Sequence, residues 1–244
     1  MSVMTVSESI SWAGVGDATA VDIGRSLAHQ SSSGYHSPMH DQWLERWEIG
    51  QTGWHEPTGN RNLQAHWKLA GRRVLVPLCG KTQDLLWLEG QGNEVVGVEL
   101  SEIAVLDFFR ENELDYEPVD GTLPGYRATS RRLTIFCGDY FEFHAEPLDA
   151  HYDRGALIAL PPDMRKRYAA HTTSLLADEA AQFVVTVEYD DSVANGPPFS
   201  VLGEEVLAHW PGLQEQARVE DIENAPPKFR EAGLEQIHEV VWMR

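Results

Sequence analysis

The hydrophobic pattern is most telling between Arg72 and Leu100. Val74-Leu75-Val76 is a short continuous apolar run of the kind a strand buried on both faces needs, and Pro77 and Gly80 break it. Leu85, Leu86, Trp87 and Leu88 then supply the apolar patch of a helix expected from residue 81 to about 89. Gly90 and Gly92 stop that helix, and Glu94-Val95-Val96-Gly97-Val98-Glu99 starts a second strand. Strand, loop, helix and strand make one βαβ unit, so the two strands are expected to lie parallel. Open parallel sheets bind ligands beyond the carboxyl ends of their strands, which brings the loop 77–82 and Glu99 to one crevice.

The pattern continues in the same style. A helix is expected over about 101–112 with Ile103, Leu106 and Phe109 turned inward, then a polar loop over 115–125 and a third strand over 132–137 ending at Gly138-Asp139-Tyr140. A fourth strand covers about 151–157, Pro161-Pro162 opens a helix reaching about residue 176, and a fifth strand covers 181–189. A short helix near 204–209 and strands near 214–220 and 236–242 close the sheet, the last with the alternation of an antiparallel edge strand. Before the first strand stand Trp43, Trp47, Trp54 and Trp67; Trp43, Leu44 and Trp47 share a helical face that residues 50–53 terminate. Core packing explains such a stripe, and so does a lid whose aromatic faces cover a cationic ligand. Residues 1–38, rich in Ser, Gly, Ala and His, are expected to be a poorly ordered extension to a domain at 39–244. His36 and His40 have a chelating spacing but no third ligand nearby, so no metal is expected.

Three ligand classes could use the crevice. Gly80-Lys81-Thr82 looks like the end of a triphosphate-binding loop, but that signature needs a glycine where Leu75 stands. A dinucleotide fold needs bare glycine backbone for the pyrophosphate, and Pro77, Leu78 and Cys79 fill the loop instead. Glu99, about twenty residues on, stands where such folds hold ribose hydroxyls, so a nucleoside without phosphates fits best; a cap shared with Ser101 is the plainer role. Asp139 and Tyr140 suit an adenine amino group and ring, or a simple turn. Arg154 would put a cation in the crevice for an anionic group, or pair with Asp153.

Composition narrows the partners. At 244 residues and 42% hydrophobic the chain can bury one sizeable core, and a net charge of −19 opposes nucleic acid and anionic membranes. Two cysteines, Cys79 and Cys137, imply no disulfide framework. No apolar run approaches a membrane span and residues 1–20 lack the pattern of a secretory leader, so a cytoplasmic location is expected; a monomer is expected as well.

Several of these segments, in this order, resemble the thiopurine S-methyltransferase family: Trp43-x-x-x-Trp47, Gly53-Trp54-His55, the Leu75–Lys81 run, Gly97-Val98-Glu99-Leu100-Ser101-Glu102, Tyr152-Asp153-Arg154-Gly155-Ala156-Leu157 and Gly196-Pro197-Pro198-Phe199. The resemblance implies a seven-stranded, mostly parallel class I methyltransferase (Rossmann-like) α/β sheet with helices on both faces and an N-terminal aromatic lid. It implies S-adenosyl-L-methionine as cofactor, S-adenosyl-L-homocysteine as product, and a thiol, thiolate or selenium or tellurium species as acceptor. It also implies site roles: Trp43 and Trp47 as lid, Leu78, Glu99, Asp139 and Tyr140 on the cofactor, Arg154 beside both cofactor and acceptor as the catalytic cation, and Lys228 on the acceptor side. Trp54 stands where the family commonly has Phe in the acceptor pocket. A halide or small-thiol methyltransferase on the same scaffold, or a non-catalytic cofactor-binding protein, are the alternatives.

Overall fold

The computed structural model describes residues 38–53 and 55–244. The expectations for the 1–38 extension, for His36 and for Trp54 fall outside the described residues, Pro38 excepted. The elements are α1 (Pro38–Glu48), α2 (Arg61–His66), β1 (Arg73–Pro77), α3 (Asp84–Gly90), β2 (Glu94–Glu99), α4 (Glu102–Glu111), β3 (Tyr116–Val119), β4 (Gly125–Ala128), β5 (Leu133–Cys137), β6 (Leu148–Arg154), α5 (Pro162–Ser174), β7 (Leu176–Glu188), α6 (Gly203–His209), β8 (Gln214–Glu220), α7 (Pro227–Glu231) and β9 (His238–Met243).

One sheet contains the strands in the order β3-β4-β5-β2-β1-β6-β7-β9-β8. Its centre, β5-β2-β1-β6-β7, is parallel throughout. Both flanks are antiparallel. The sheet therefore has nine strands among the described residues, not seven, and its parallel character is confined to the middle. The two additional strands form a hairpin where a polar loop was expected over 115–125. Tyr116, Pro118, Tyr126 and Ala128 carry enough apolar surface for pairing, and Tyr116 and Tyr126 pack on each other and on Phe109. The last strand is not an edge either: β9 is inserted between β7 and β8.

Helices cover both faces of the sheet, and strand alternation sorts the core into two layers. Leu75, Val96, Val98, Val184, Val240 and Trp242 point to the layer closed by Tyr168 and Ala169 of α5 and Val206 of α6. Val74, Val76, Val95, Phe183, Val185 and Val241 point to the layer closed by Leu63 of α2, Leu85 and Leu88 of α3 and Phe108 and Phe109 of α4. Burial of so many full side chains, each worth about 1.5–3 kcal/mol, explains why the runs sit centrally. In α4 the inward residues are Ala104, Val105, Phe108 and Phe109, whereas Ile103 is exposed. Phe108 and Phe109 claim the inward stripe, and the i+4 spacing back from them selects Ala104 and Val105.

Candidate active site

Beyond the carboxyl ends of the parallel strands lies a cavity of about 430 Å³, within the usual range for small-molecule sites. The turn after β1 shapes its floor. Leu78 and Gly80 both take left-handed backbone, with φ of 47° and 53°, which is unusual for leucine. Gly97 makes room for the turn, since a Cβ there would stand 2.9 Å from the Cys79 sulfur. The Cys79 amide donates to the Val98 carbonyl at 3.0 Å, tying the turn to β2.

Glu99 ends β2 and is 7% exposed. One carboxylate oxygen accepts the Gly80 amide at 2.7 Å and the other the Ser101 amide at 2.8 Å. The N-cap of α4 is Ser101 itself, whose Oγ accepts from Ala104 N. Burial raises the Glu99 carboxyl above its ordinary value, while the backbone donors oppose that rise. A carboxylate has about four lone-pair sites, so two hydroxyls can still be accepted. Asp139 follows β5 and accepts the Phe141 amide at 2.9 Å as a cap. The Tyr140 ring lines the cavity but is nearly buried, and its hydroxyl bonds Thr172 at 2.9 Å.

The helix α1 supplies another wall through Met39, His40, Trp43 and Trp47. Trp47 packs on the β1 turn, so that a Cβ on Gly80 would meet its ring at 3.2 Å. At the other end of the helix, the His40 ring stands 3.9 Å from Asp139. Arg46 lies 5.0 Å over the Trp43 ring.

Arg154 ends β6, lines the cavity and is ion-paired with Glu56, not with Asp153. Asp153 points the other way, into the core, where it accepts Ala156 N and the Tyr168 hydroxyl. Lys228 is outside the cavity wall and donates to the Asn195 and Pro197 carbonyls, at 3.0 and 2.8 Å. It holds the 196–198 loop that lines the cavity through Pro197 and Pro198. Lys81 is turned to Glu111 of α4 at 2.7 Å, away from a phosphate-binding role. Burial pushes the Cys79 thiol up strongly and the Cys137 thiol up to about 12, which disfavours the thiolate at both.

The sequence pattern did not single out the polar cluster behind Arg154. Asp84 accepts the Asn60 amide at 2.6 Å and the Tyr152 hydroxyl at 2.8 Å. The Asn60 and Asn62 side chains donate to Glu239, at 3.3 and 2.6 Å, and Asn60 also caps α2. Burial raises the carboxyls of Glu56 and Glu239 and lowers His55. The available signals were an Asn placed before a helical pattern and an acid interrupting the apolar alternation of β9.

The wall carries the carboxylates of Glu56, Glu99, Asp139, Asp221 and Glu239, aromatic rings and apolar groups, with Arg46, Lys81 and Arg154 as its cations, and among the described residues no glycine-rich cradle for a phosphate. That set suits a cationic nucleoside such as S-adenosyl-L-methionine. Among the described residues no cluster could hold a metal ion, and no helix is long and apolar enough to cross a membrane.

Comparison with known proteins agrees with this geometry. The model of the family described as Thiopurine S-methyltransferase matches residues 39–244. A Thiopurine S-methyltransferase of Pseudomonas putida is 45% identical over 82% of this chain and 96% of its own. One from Bordetella petrii is 42% identical over 82% of this chain and 95% of its own. In fold, the chain is similar to a Burkholderia thailandensis 1,6-didemethyltoxoflavin-N1-methyltransferase, whose crystal structure contains S-adenosylhomocysteine. That likeness has a TM-score of 0.55 at 16% identity, over 84% of this chain and 87% of the other.

Proposed function

The chain belongs to the thiopurine S-methyltransferase family and is an S-adenosyl-L-methionine-dependent S-methyltransferase; from that premise we propose how its own residues divide the work. Glu99 holds the ribose hydroxyls, Leu78, Asp139 and Tyr140 flank the base, and α1 acts as a lid through Trp43 and Trp47. Arg154 holds the acceptor's sulfur anion, and Lys228 acts indirectly by fixing the 196–198 loop. The observation that carries this reading is the presence of Glu99, Arg154 and the α1 tryptophans in the wall of one cavity.

The cofactor, when bound, supplies an electrophilic methyl group on a sulfonium. The protein's tasks are then alignment and exclusion of water, because displacement at a sulfonium by a thiolate destroys charge and needs no strong acid. Arg154 stabilises the sulfur anion electrostatically. The wall carboxylates favour a cationic cofactor over its neutral product, which assists release.

The acceptor class is a thiol, thiolate or heavier chalcogen small molecule, handled by a monomer in the cytoplasm. The names of the curated relatives support thiopurines; Trp54, standing where the family pattern commonly has Phe, argues for smaller acceptors. Incubation with the cofactor and a panel of thiols, selenols and halides, read as S-adenosylhomocysteine formed, tests the reading. Turnover of thiols is expected. Turnover of halides alone would reassign the protein to the halide class.

A further inference from the structure

Methylating a neutral thiol releases a proton, and a partly closed cavity offers little bulk water to collect it. The carboxylates in the wall differ in their remaining capacity. Glu99 receives a backbone amide on each oxygen. Asp139 caps a turn, and Asp221 is paired with Arg61 at 3.0 Å and bonded by Asn224 at 2.7 Å. Glu239 is held by two asparagine amides. Glu56 is placed differently, because its partner is the Arg154 guanidinium, and it lines the cavity beside the cation assigned to the acceptor.

We infer that Glu56 is the proton acceptor for the incoming thiol, with Arg154 passing from the Glu56 carboxylate to the new thiolate as its counter-ion. The inference rests on the thiol-methylating reading above. Before transfer the group is a guanidinium, a carboxylate and a neutral thiol. Afterwards it is a guanidinium, a neutral carboxyl and a thiolate. Net charge is unchanged, so the step buries no additional charge, which would be costly. The S–H bond breaks as its proton passes to Glu56, and the sulfur's electron pair forms the S–C bond. The pair of the broken C–S bond stays with the departing S-adenosylhomocysteine sulfur, and the proton leaves Glu56 for water as the products leave.

The surroundings suit a base. Burial is the main cause of the raised Glu56 carboxyl; Glu239 of β9 and Asp84 of α3 add to the rise, and Arg154 and the Asn60 amide oppose it. Greater basicity narrows the gap to a thiol. His55, the adjacent titratable group, is the rival; burial, Lys81 and Arg154 lower it, Glu111 and Asp84 raise it, and the net shift is downward, which makes it a poorer proton acceptor.

The test uses arylthiols graded in acidity, with kcat/KM measured across pH. Glu56→Gln should lose about 10²–10⁴-fold on thiols protonated at the assay pH, and at least ten-fold less than that on thiols already ionised. The deficit should shrink as pH passes each thiol's own pKa, and Glu56→Asp should recover part of it. Calorimetry with S-adenosylhomocysteine checks that both variants bind normally, and Glu56→Asp carries the test by the same selectivity if the amide variant does not fold. An equal loss on every thiol would make Glu56 only a positioning residue for Arg154. No loss, or the acidity-dependent loss appearing in His55→Asn instead, overturns the inference. If the unmodified protein turns over no thiol at all, the proposed function fails and the inference with it.

Discussion

Replacing Glu99 by alanine separates two jobs in one side chain. The carboxylate accepts the amides of Gly80 and Ser101, at 2.7 and 2.8 Å, so the alanine variant strands two buried donors. Each stranded donor costs about 1–3 kcal/mol when no water reaches it. Here the cavity admits water from one side, and removing a buried carboxylate recovers part of its desolvation, which is the main cause of its raised pKa. The expected net loss of stability is therefore near the bottom of that range, about 1–2 kcal/mol, read as a lower urea midpoint at unchanged slope. Cofactor binding should fall by more. Hydrogen bonds from ribose hydroxyls to a charged group are worth about 1.5–3 kcal/mol, or about 10- to 150-fold in the S-adenosylhomocysteine dissociation constant by calorimetry. A lower midpoint with unchanged affinity would reduce Glu99 to a staple between the β1 turn and α4, and would remove it from the site.

Asp153, fully buried, has its carboxyl pushed up to about 6 by burial, against the pull of its three donors. A raised folded pKa means its stabilising contribution is complete below about pH 3.8 and is lost as pH rises through about 6, on the order of 3 kcal/mol. Asp153→Asn should flatten that part of the pH dependence of the urea midpoint, and an unaltered slope would contradict the assignment. Gly80→Ala meets the Trp47 ring at 3.2 Å and forces a Cβ into left-handed backbone; about 1–2 kcal/mol of stability and weaker S-adenosylhomocysteine binding are expected, and normal affinity would detach Trp47 from the cofactor. Trp54→Phe should raise the ratio of purine-thiol to small-thiol specificity constants roughly ten-fold, because a methylene-sized difference is worth ~1–3 kcal/mol; an unchanged ratio would place Trp54 away from the acceptor.

The parallel centre of the sheet was legible because its strands are buried on both faces and so read as unbroken apolar runs, while Ser101, Pro162 and the glycines mark helix ends. The β3–β4 hairpin was not, because its strands are short, polar on one side and joined through Gly121, with Gly125 opening β4, a composition shared with loops. For the site, position at the carboxyl ends of the parallel strands was enough to bring Leu78, Glu99, Asp139 and Arg154 to one cavity. Pairing was not legible. Glu56 lies 98 residues from Arg154, and Asn62 lies 177 from Glu239, separations over which no local periodicity carries information. Lys228 shows the converse limit: a basic residue near the acceptor side in the sequence pattern turns out to hold a loop by its carbonyls.

The two flanks of the sheet have a bearing on how the protein behaves when crowded. A terminal strand exposes a row of unpaired amides and carbonyls that another chain could extend. At one end, β3 places Pro118 in the outermost strand, removing an amide. At the other, β8 is exposed along almost its whole length and carries Glu215, Arg218 and Glu220, with Arg218 tied back to Glu188 of β7 and to Glu215. A second copy adding a strand to β8 would have to desolvate those charges. With a net charge of −19 repelling copies at long range as well, the sheet terminates in surfaces that resist aggregation, leaving the cavity as the face built to receive a molecule.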